Sequence, residues 1–212
     1  MDFETAEIAA RKRDRLALWP NRAKKLYEAA ESVVHLDGEF WECGVYQGGS
    51  AKLISELLRD QNVPHVLRLF DTFEGFTGIS PEDEGSGEEG EMKYWPTVAQ
   101  AVEDIRNFIG ENFVSIHPGA VPRSFAGLEN SKIAYAYLDM DLYYPTREAM
   151  KFLLPRMVPG GIIVIDDCGD YNWPGVEKAV NETKGDSVFE KFSFSSPDGS
   201  SYVGWQGQIR HA

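Results

Sequence analysis

Cysteine is scarce in this chain. There are two among 212 residues, Cys43 and Cys168, and they form no C-x-x-C pair. That excludes a disulfide framework of the kind that staples small secreted folds. Long apolar runs are also missing; none approaches the roughly 20 residues needed to cross a bilayer. The opening stretch, MDFETAEIAARKRDR, is charged throughout and has no apolar signal-peptide core. These absences predict a cytoplasmic protein with no membrane partner. Positive charge is short as well, with 21 Lys and Arg against 34 Asp and Glu and a net charge of -13. Neutralising phosphates requires a basic face, so no nucleic-acid partner is expected. The four histidines, His35, His65, His117 and His211, show no zinc-ligand spacing. His117 sits near a strand end, but a lone histidine there is more often structural. The dinucleotide fingerprint G-x-G-x-x-G does not occur.

What remains is the material of one α/β domain, at 42% hydrophobic and 26% charged residues. Helical spacing predicts helices over residues 3–18 and 21–34, punctuated by Trp19-Pro20, so residues 1–37 read as a helical segment packing on a domain of residues 38–212. Within that domain short apolar strands at 38–44, 66–70, 114–117, 133–138 and 161–165 alternate with helices at 51–59, 97–109, 145–154 and 175–183. Continuous apolar strands separated by helices predict a parallel sheet covered on both faces. Residues 188–194 and 201–206 read as a closing hairpin that adds an antiparallel strand at one edge. A long loop at 77–96 carries six acidic residues from Glu82 to Glu91. It reads equally as a lid or as a solvated acidic loop.

Such sheets bind ligands at the carboxyl ends of their strands. Gly44, Asp71, Gly119, Asp139, Asp166 and Asp167 all fall there. Glu42-Cys43-Gly44-Val45-Tyr46-Gln47-Gly48-Gly49-Ser50 places glycines between a strand and a helix, where backbone can approach a ligand and helix amides are free. Glu42 suggests a positively charged ligand portion, such as an aminoacyl group. Asp71 can accept ribose hydroxyls or cap the next segment. Asp139 and Asp166 lie one strand-helix-strand unit apart, so adjacent strands would bring them and Asp167 together. Two like charges at about 4 Å cost on the order of 4 kcal/mol at an effective dielectric near 20. Protonation offsets this, or a hard divalent cation such as Mg²⁺ or Ca²⁺ does. The cation is the simpler solution for Asp139, Asp166 and Asp167. Asp141 lies two residues past its strand end and stays outside that set.

Taken in order, Glu42-x-Gly44-x-x-x-Gly48-Gly49, Asp71 to Phe76, Leu138-Asp139-x-Asp141-Leu142-Tyr143 with Thr146, and Pro159-Gly160-Gly161 leading to Asp166-Asp167 resemble the macrocin O-methyltransferase family. The resemblance covers roughly residues 38 to 182. It implies a Rossmann-like class I methyltransferase fold with a seven-stranded sheet. It also implies Mg²⁺-dependent transfer of a methyl group from S-adenosyl-L-methionine to a hydroxyl of a small molecule, such as a sugar or natural-product group. On that basis Glu42, Gly44, Tyr46, Gly48, Gly49, Ser50, Asp71 and Gly119 become candidate cofactor contacts. Asp139, Asp166 and Asp167 become candidate metal ligands, and Asp139 and Asp141 candidate catalytic carboxylates. Cys168 stands where the family usually has an aromatic, and the 82–91 stretch is unusually acidic. Two rivals stay open: a nucleotide-sugar glycosyltransferase reading Asp139-Met140-Asp141 as a D-x-D metal motif, and a methyltransferase-like domain that binds without turnover. The sequence leaves a homo-oligomer open.

Overall fold

The computed structural model describes residues 2–62, 64–184, 192–195 and 201–205. Seven strands form one sheet: β1 (Glu39–Cys43), β2 (Leu67–Asp71), β3 (Val114–Pro118), β4 (Ile133–Leu138), β5 (Met157–Ile165), β6 (Phe192–Ser195) and β7 (Ser201–Trp205). Their order is β3-β2-β1-β4-β5-β7-β6. The first five run parallel. β7 is antiparallel to both β5 and β6, so the reversed strand lies one place in from the edge, and β6 is the edge. The expected hairpin is thus present as β6 and β7, while residues 188–191, 196–200 and 206 of that reading lie outside the described residues.

Among the described residues six α-helices cover the sheet: α1 (Phe3–Ala10), α2 (Pro20–Val33), α3 (Gly49–Gln61), α4 (Val98–Ile109), α5 (Tyr143–Leu153) and α6 (Pro174–Lys184). Residues of β1 alternate between the two faces, as the strand period of two requires. Phe40 joins the core formed with α1 to α4, and Trp41 and Cys43 join the core formed with α5 and α6. Trp41 is fully buried and packs its ring 4.6 Å from Phe70 and 5.4 Å from Phe125. Such aromatic pairs add about 0.5–1.5 kcal/mol beyond burial itself.

The first helix is shorter than its spacing suggests. It stops at Ala10, and Arg13 and Asp14 take left-handed φ values of 62° and 57°. The guanidinium of Arg11 explains the stop. It turns back to Glu7 and donates to the carbonyls of Leu16 and Leu18, so the following chain is held as a non-helical strap. That strap lies on α3. A Cβ on Gly49 would sit 2.4 Å from the Cα of Leu16, so glycine is required there by the chain's own close approach.

The 77–96 loop is internally tied. Glu89 accepts from the amides of Gly78 and Ile79, Glu91 accepts from the amide of Glu88, and Glu82 pairs with Lys178. Much of its acidity is therefore structural. Asp83, 1% exposed, joins three segments. It accepts from the amide of Tyr143 at 2.6 Å and from the amide and hydroxyl of Ser80 at 3.0 and 2.6 Å. A Cβ on Gly175 would lie 2.0 Å from its carboxylate, so α5, α6 and the loop converge on this side chain.

Asp83→Ala removes a charged acceptor and leaves the α5 amide unpaired in a buried setting. Thermal or urea unfolding is expected to show a loss of about 2–3 kcal/mol. An unchanged midpoint would mean that the loop is not fastened through this residue.

Candidate functional site

The sheet's hydrogen-bond ladder continues one residue past its strands. The amide of Gly44 donates to Phe70 at 2.9 Å, that of Asp139 to Cys43 at 2.8 Å, that of Asp166 to Leu138 at 2.8 Å, and that of Gly119 to Asp71 at 2.8 Å. Gly119, Asp71, Gly44, Asp139 and Asp166 thus form one row across the carboxyl rim. Gly44 has φ 87°, and a Cβ there would fall 1.7 Å from the carbonyl oxygen of Asp139. Its lack of a side chain is what lets the ends of β1 and β4 meet.

A cavity of about 740 Å³ opens above this row. That is ample for a nucleoside-sized ligand together with a small acceptor. Gly44, Tyr46, Gly49, Ser50, Asp71 and Gly119 contribute to its wall, and so do Asp139, Asp141, Asp166 and Asp167. The strap from Arg15 to Trp19 and the 77–96 loop, through Met92, Tyr94 and Trp95, supply further walls. His117 is not part of the lining. Its ring stacks 4.9 Å from Phe70 and its Nε2 meets Ser115, which makes it structural.

Two of the sequence-derived cofactor candidates stay off the wall. Gly48, at φ 81°, forms the left-handed turn that starts α3. Glu42 is 1% exposed and accepts a hydrogen bond from the Ser50 hydroxyl at 2.7 Å. Its second oxygen has no hydrogen-bond partner among the described residues. Burial pushes its carboxyl up to about 8, with Asp71 adding to the rise. Asp71 itself is used by the fold. It accepts from the amides of Val45 and Tyr46 at 2.7 and 2.9 Å through one oxygen, and from Phe73 at 2.7 Å through the other. Burial raises its pKa, and these amides oppose the rise. It shapes the Gly44 turn as well as facing the cavity.

Across the rim, one carboxylate oxygen each of Asp139, Asp166 and Asp167 lies within 4.8 Å of the others. The Tyr137 hydroxyl bridges Asp139 and Asp166 at 2.9 and 2.8 Å. Arg22, from the first turn of α2, donates to Asp166 at 3.0 Å and Asp167 at 2.7 Å. Burial and the neighbouring aspartates hold Asp139 well above the usual carboxylate range and raise Asp167. Asp141, at φ 63°, is pushed by burial and by Asp167 to about 8. The sequence reading placed Asp139, Asp166 and Asp167 together, left Asp141 outside that set, and passed over two partners, Tyr137 and Arg22. Tyr137 was findable, because residues two apart in a strand share a face and Tyr137 precedes Asp139 by two. Nothing in the sequence pointed to Arg22.

The Glu42 carboxyl gives a pH test. Its folded pKa lies above the ordinary value of 4.5, so the folded state binds the extra proton. Stability is then lost as pH rises from the unfolded pKa towards about 8, by up to about 1.4 kcal/mol per pH unit in that window. Glu42→Gln should flatten this slope and raise the melting temperature at pH 8 more than at pH 5. Parallel pH–stability curves for the two proteins would show that Glu42 does not titrate this way.

Comparison with known proteins gives the family and the fold. The profile of the macrocin-O-methyltransferase (TylF) family matches residues 18–191. An 8-demethyl-8-(2,3-dimethoxy-alpha-L-rhamnosyl)-tetracenomycin-C 4'-O-methyltransferase of Streptomyces olivaceus is 27% identical over 82% of this chain and 74% of its own length. The mycinamicin III 3''-O-methyltransferase of Micromonospora griseorubida is 26% identical over 76% of this chain and 66% of its own. Among solved structures, the calicheamicin methyltransferase CalS11 superposes with a TM-score of 0.74 at 22% identity, over 88% of this chain and 79% of that one. TomG from Streptomyces achromogenes, in complex with SAM, gives 0.62 at 16% identity over 97% and 89%. These two share the fold. The family match sets aside the glycosyltransferase reading of Asp139-Met140-Asp141, and the chain is a methyltransferase that belongs to the macrocin-O-methyltransferase family.

Proposed function

We propose that this protein methylates a hydroxyl of a small molecule, a sugar or natural-product group. The donor is S-adenosyl-L-methionine, and a divalent cation, Mg²⁺ by preference, is held by Asp139, Asp166 and Asp167. The observation that carries the reading is the approach of three carboxylate oxygens to within 4.8 Å beside the Gly44 turn, on one cavity wall. The donor set fits the ion. All three ligands are hard oxygens, and their mutual repulsion favours a cation over an empty cluster. The names of the relatives, one an O-methyltransferase of a rhamnosyl-tetracenomycin and the other of mycinamicin III, support the acceptor class.

When bound, the cation would lower the acceptor hydroxyl's pKa and the cofactor would supply a methyl group on a cationic sulfonium. The chain's own groups do the rest. The Gly44–Ser50 turn and Asp71 offer backbone and carboxylate contacts to the nucleoside portion. Glu42 acts on that portion through Ser50, which it fixes from behind. Asp139 and Asp141 are placed to take the acceptor's proton. Asp141, at about 8, lies within the working range of a base at neutral pH, and a nearby positive charge draws it further towards its ionised form. The acidic rim tolerates a cationic donor, and holding donor and acceptor in one cavity supplies orientation. The strap and the 77–96 loop, as a lid, exclude water from above. The family membership weighs against a domain that binds without turnover.

Asp166→Asn should lower kcat/KM by at least about 100-fold and weaken the dependence on added Mg²⁺, with an unchanged circular dichroism spectrum. The assay is mass spectrometry of small molecules methylated in a crude extract, with and without Mg²⁺. Full activity in the presence of a chelator would remove the metal from the mechanism. Saturable S-adenosylhomocysteine binding without methylation of any sugar or phenol would favour a silent domain.

A further inference from the structure

We propose that Arg22 is a resident cation of the acidic centre that competes with the divalent ion for Asp166 and Asp167, and so sets how tightly the centre binds metal. This rests on the metal reading above. Arg22 stands in the first turn of α2, two residues after Pro20. A helix N-terminus carries a partial positive charge and favours acidic side chains, so helix electrostatics argue against an arginine at this position. Its reason lies in the acidic cluster that it contacts. One guanidinium nitrogen reaches Asp166 at 3.0 Å and Asp167 at 2.7 Å, and the other approaches Asp170 at 3.9 Å.

The arrangement balances charge locally. Asp166 and Asp167 are both largely buried, and they would repel one another and Asp139 without a positive partner. Arg22 supplies it from the protein itself, so the cluster can fold before any ion arrives. The same contact opposes the ion. Oxygens that accept from a guanidinium have less capacity for a second cation, and two positive groups on the same carboxylates repel. Arg22 also lines the cavity, so its side chain has space beside the cluster into which it can withdraw. Tyr137 cannot play this part, because its hydroxyl bridges Asp139 and Asp166 without positive charge. Arg22 acts through the aspartates, so it is a positioning residue.

The test is Mn²⁺ binding to the metal-free full chain, followed by the loss of the free-ion electron paramagnetic resonance signal. It is paired with thermal unfolding in EDTA and in saturating Mn²⁺. R22Q should bind Mn²⁺ roughly tenfold or more tighter than wild type. It should melt at a lower temperature in EDTA and gain more from Mn²⁺. R22K keeps the charge but is shorter and lacks the second nitrogen that approaches Asp170, so its affinity should fall between the two. R22K alone carries the comparison if R22Q does not fold. Affinity equal to or weaker than wild type in the folded variants overturns the role of Arg22 and leaves the metal site standing. Absence of Mn²⁺ binding by wild type and variants alike overturns both.

Discussion

Everything at the functional rim depends on a parallel hydrogen-bond ladder that runs one residue beyond its strands. Parallel neighbours lie about 4.8 Å apart. The bonds from Gly44, Asp139, Asp166 and Gly119 to the neighbouring strand therefore fix a row of positions with little freedom. That row makes glycine obligatory at position 44, because the Asp139 carbonyl occupies the space of a Cβ. It also forces acidic side chains from sequence-distant strands into one corner. The chemistry is a consequence of strand register more than of any local loop design.

Crowding charge this way needs compensation, and the fold supplies three kinds. Tyr137 donates a hydroxyl between two carboxylates, and Arg22 brings a positive charge from the first turn of α2. Proton retention is the third, seen in the raised pKa of Asp139, Asp141 and Asp167. Backbone strain accompanies it. Tyr46, Phe73, Asp141 and Asp167 all hold left-handed φ values between 46° and 63°. Non-glycine residues persist there only when their surroundings over-determine them. Asp71 does so for two of them, since its oxygens accept from the amides of Tyr46 and Phe73. A residue read from sequence as a ligand contact is thus also the clamp that shapes the turn beside it.

Strand ends were legible in the sequence because their signal is local: a short apolar run, then Gly or Asp. Spacing between Asp139 and Asp166 then sufficed to bring β4 and β5 together. Three features were not legible. Arg22 sits in an ordinary amphipathic helix, and only tertiary geometry aims it at Asp166 and Asp167. The break after Ala10 comes from Arg11 folding back on carbonyls further along, which helical periodicity cannot register. Gly49 reads as a ligand-approach glycine, yet its missing Cβ first of all admits Leu16. Motif reading assigned that glycine to a ligand where the chain itself is the closest neighbour.

The strap and the 77–96 loop complete the cavity, and one residue connects them. Asp104 of α4 pairs with the Arg15 guanidinium and accepts from the Trp95 indole at 3.3 Å. Arg15 also donates to the Gln47 carbonyl in the glycine turn. The wall over that turn and the wall at the end of the loop therefore share a single carboxylate anchor. Trp19, 74% exposed, and Tyr94 stand at the outer ends of these walls. On the function proposed above, the exposed aromatic surface there would meet an apolar or sugar face and the acidic corner below a hydroxyl. The division of labour follows from where each part is built. Register-bound strand ends hold the acidic corner and tolerate little change, whereas two irregular segments joined through Asp104 close the cavity above it.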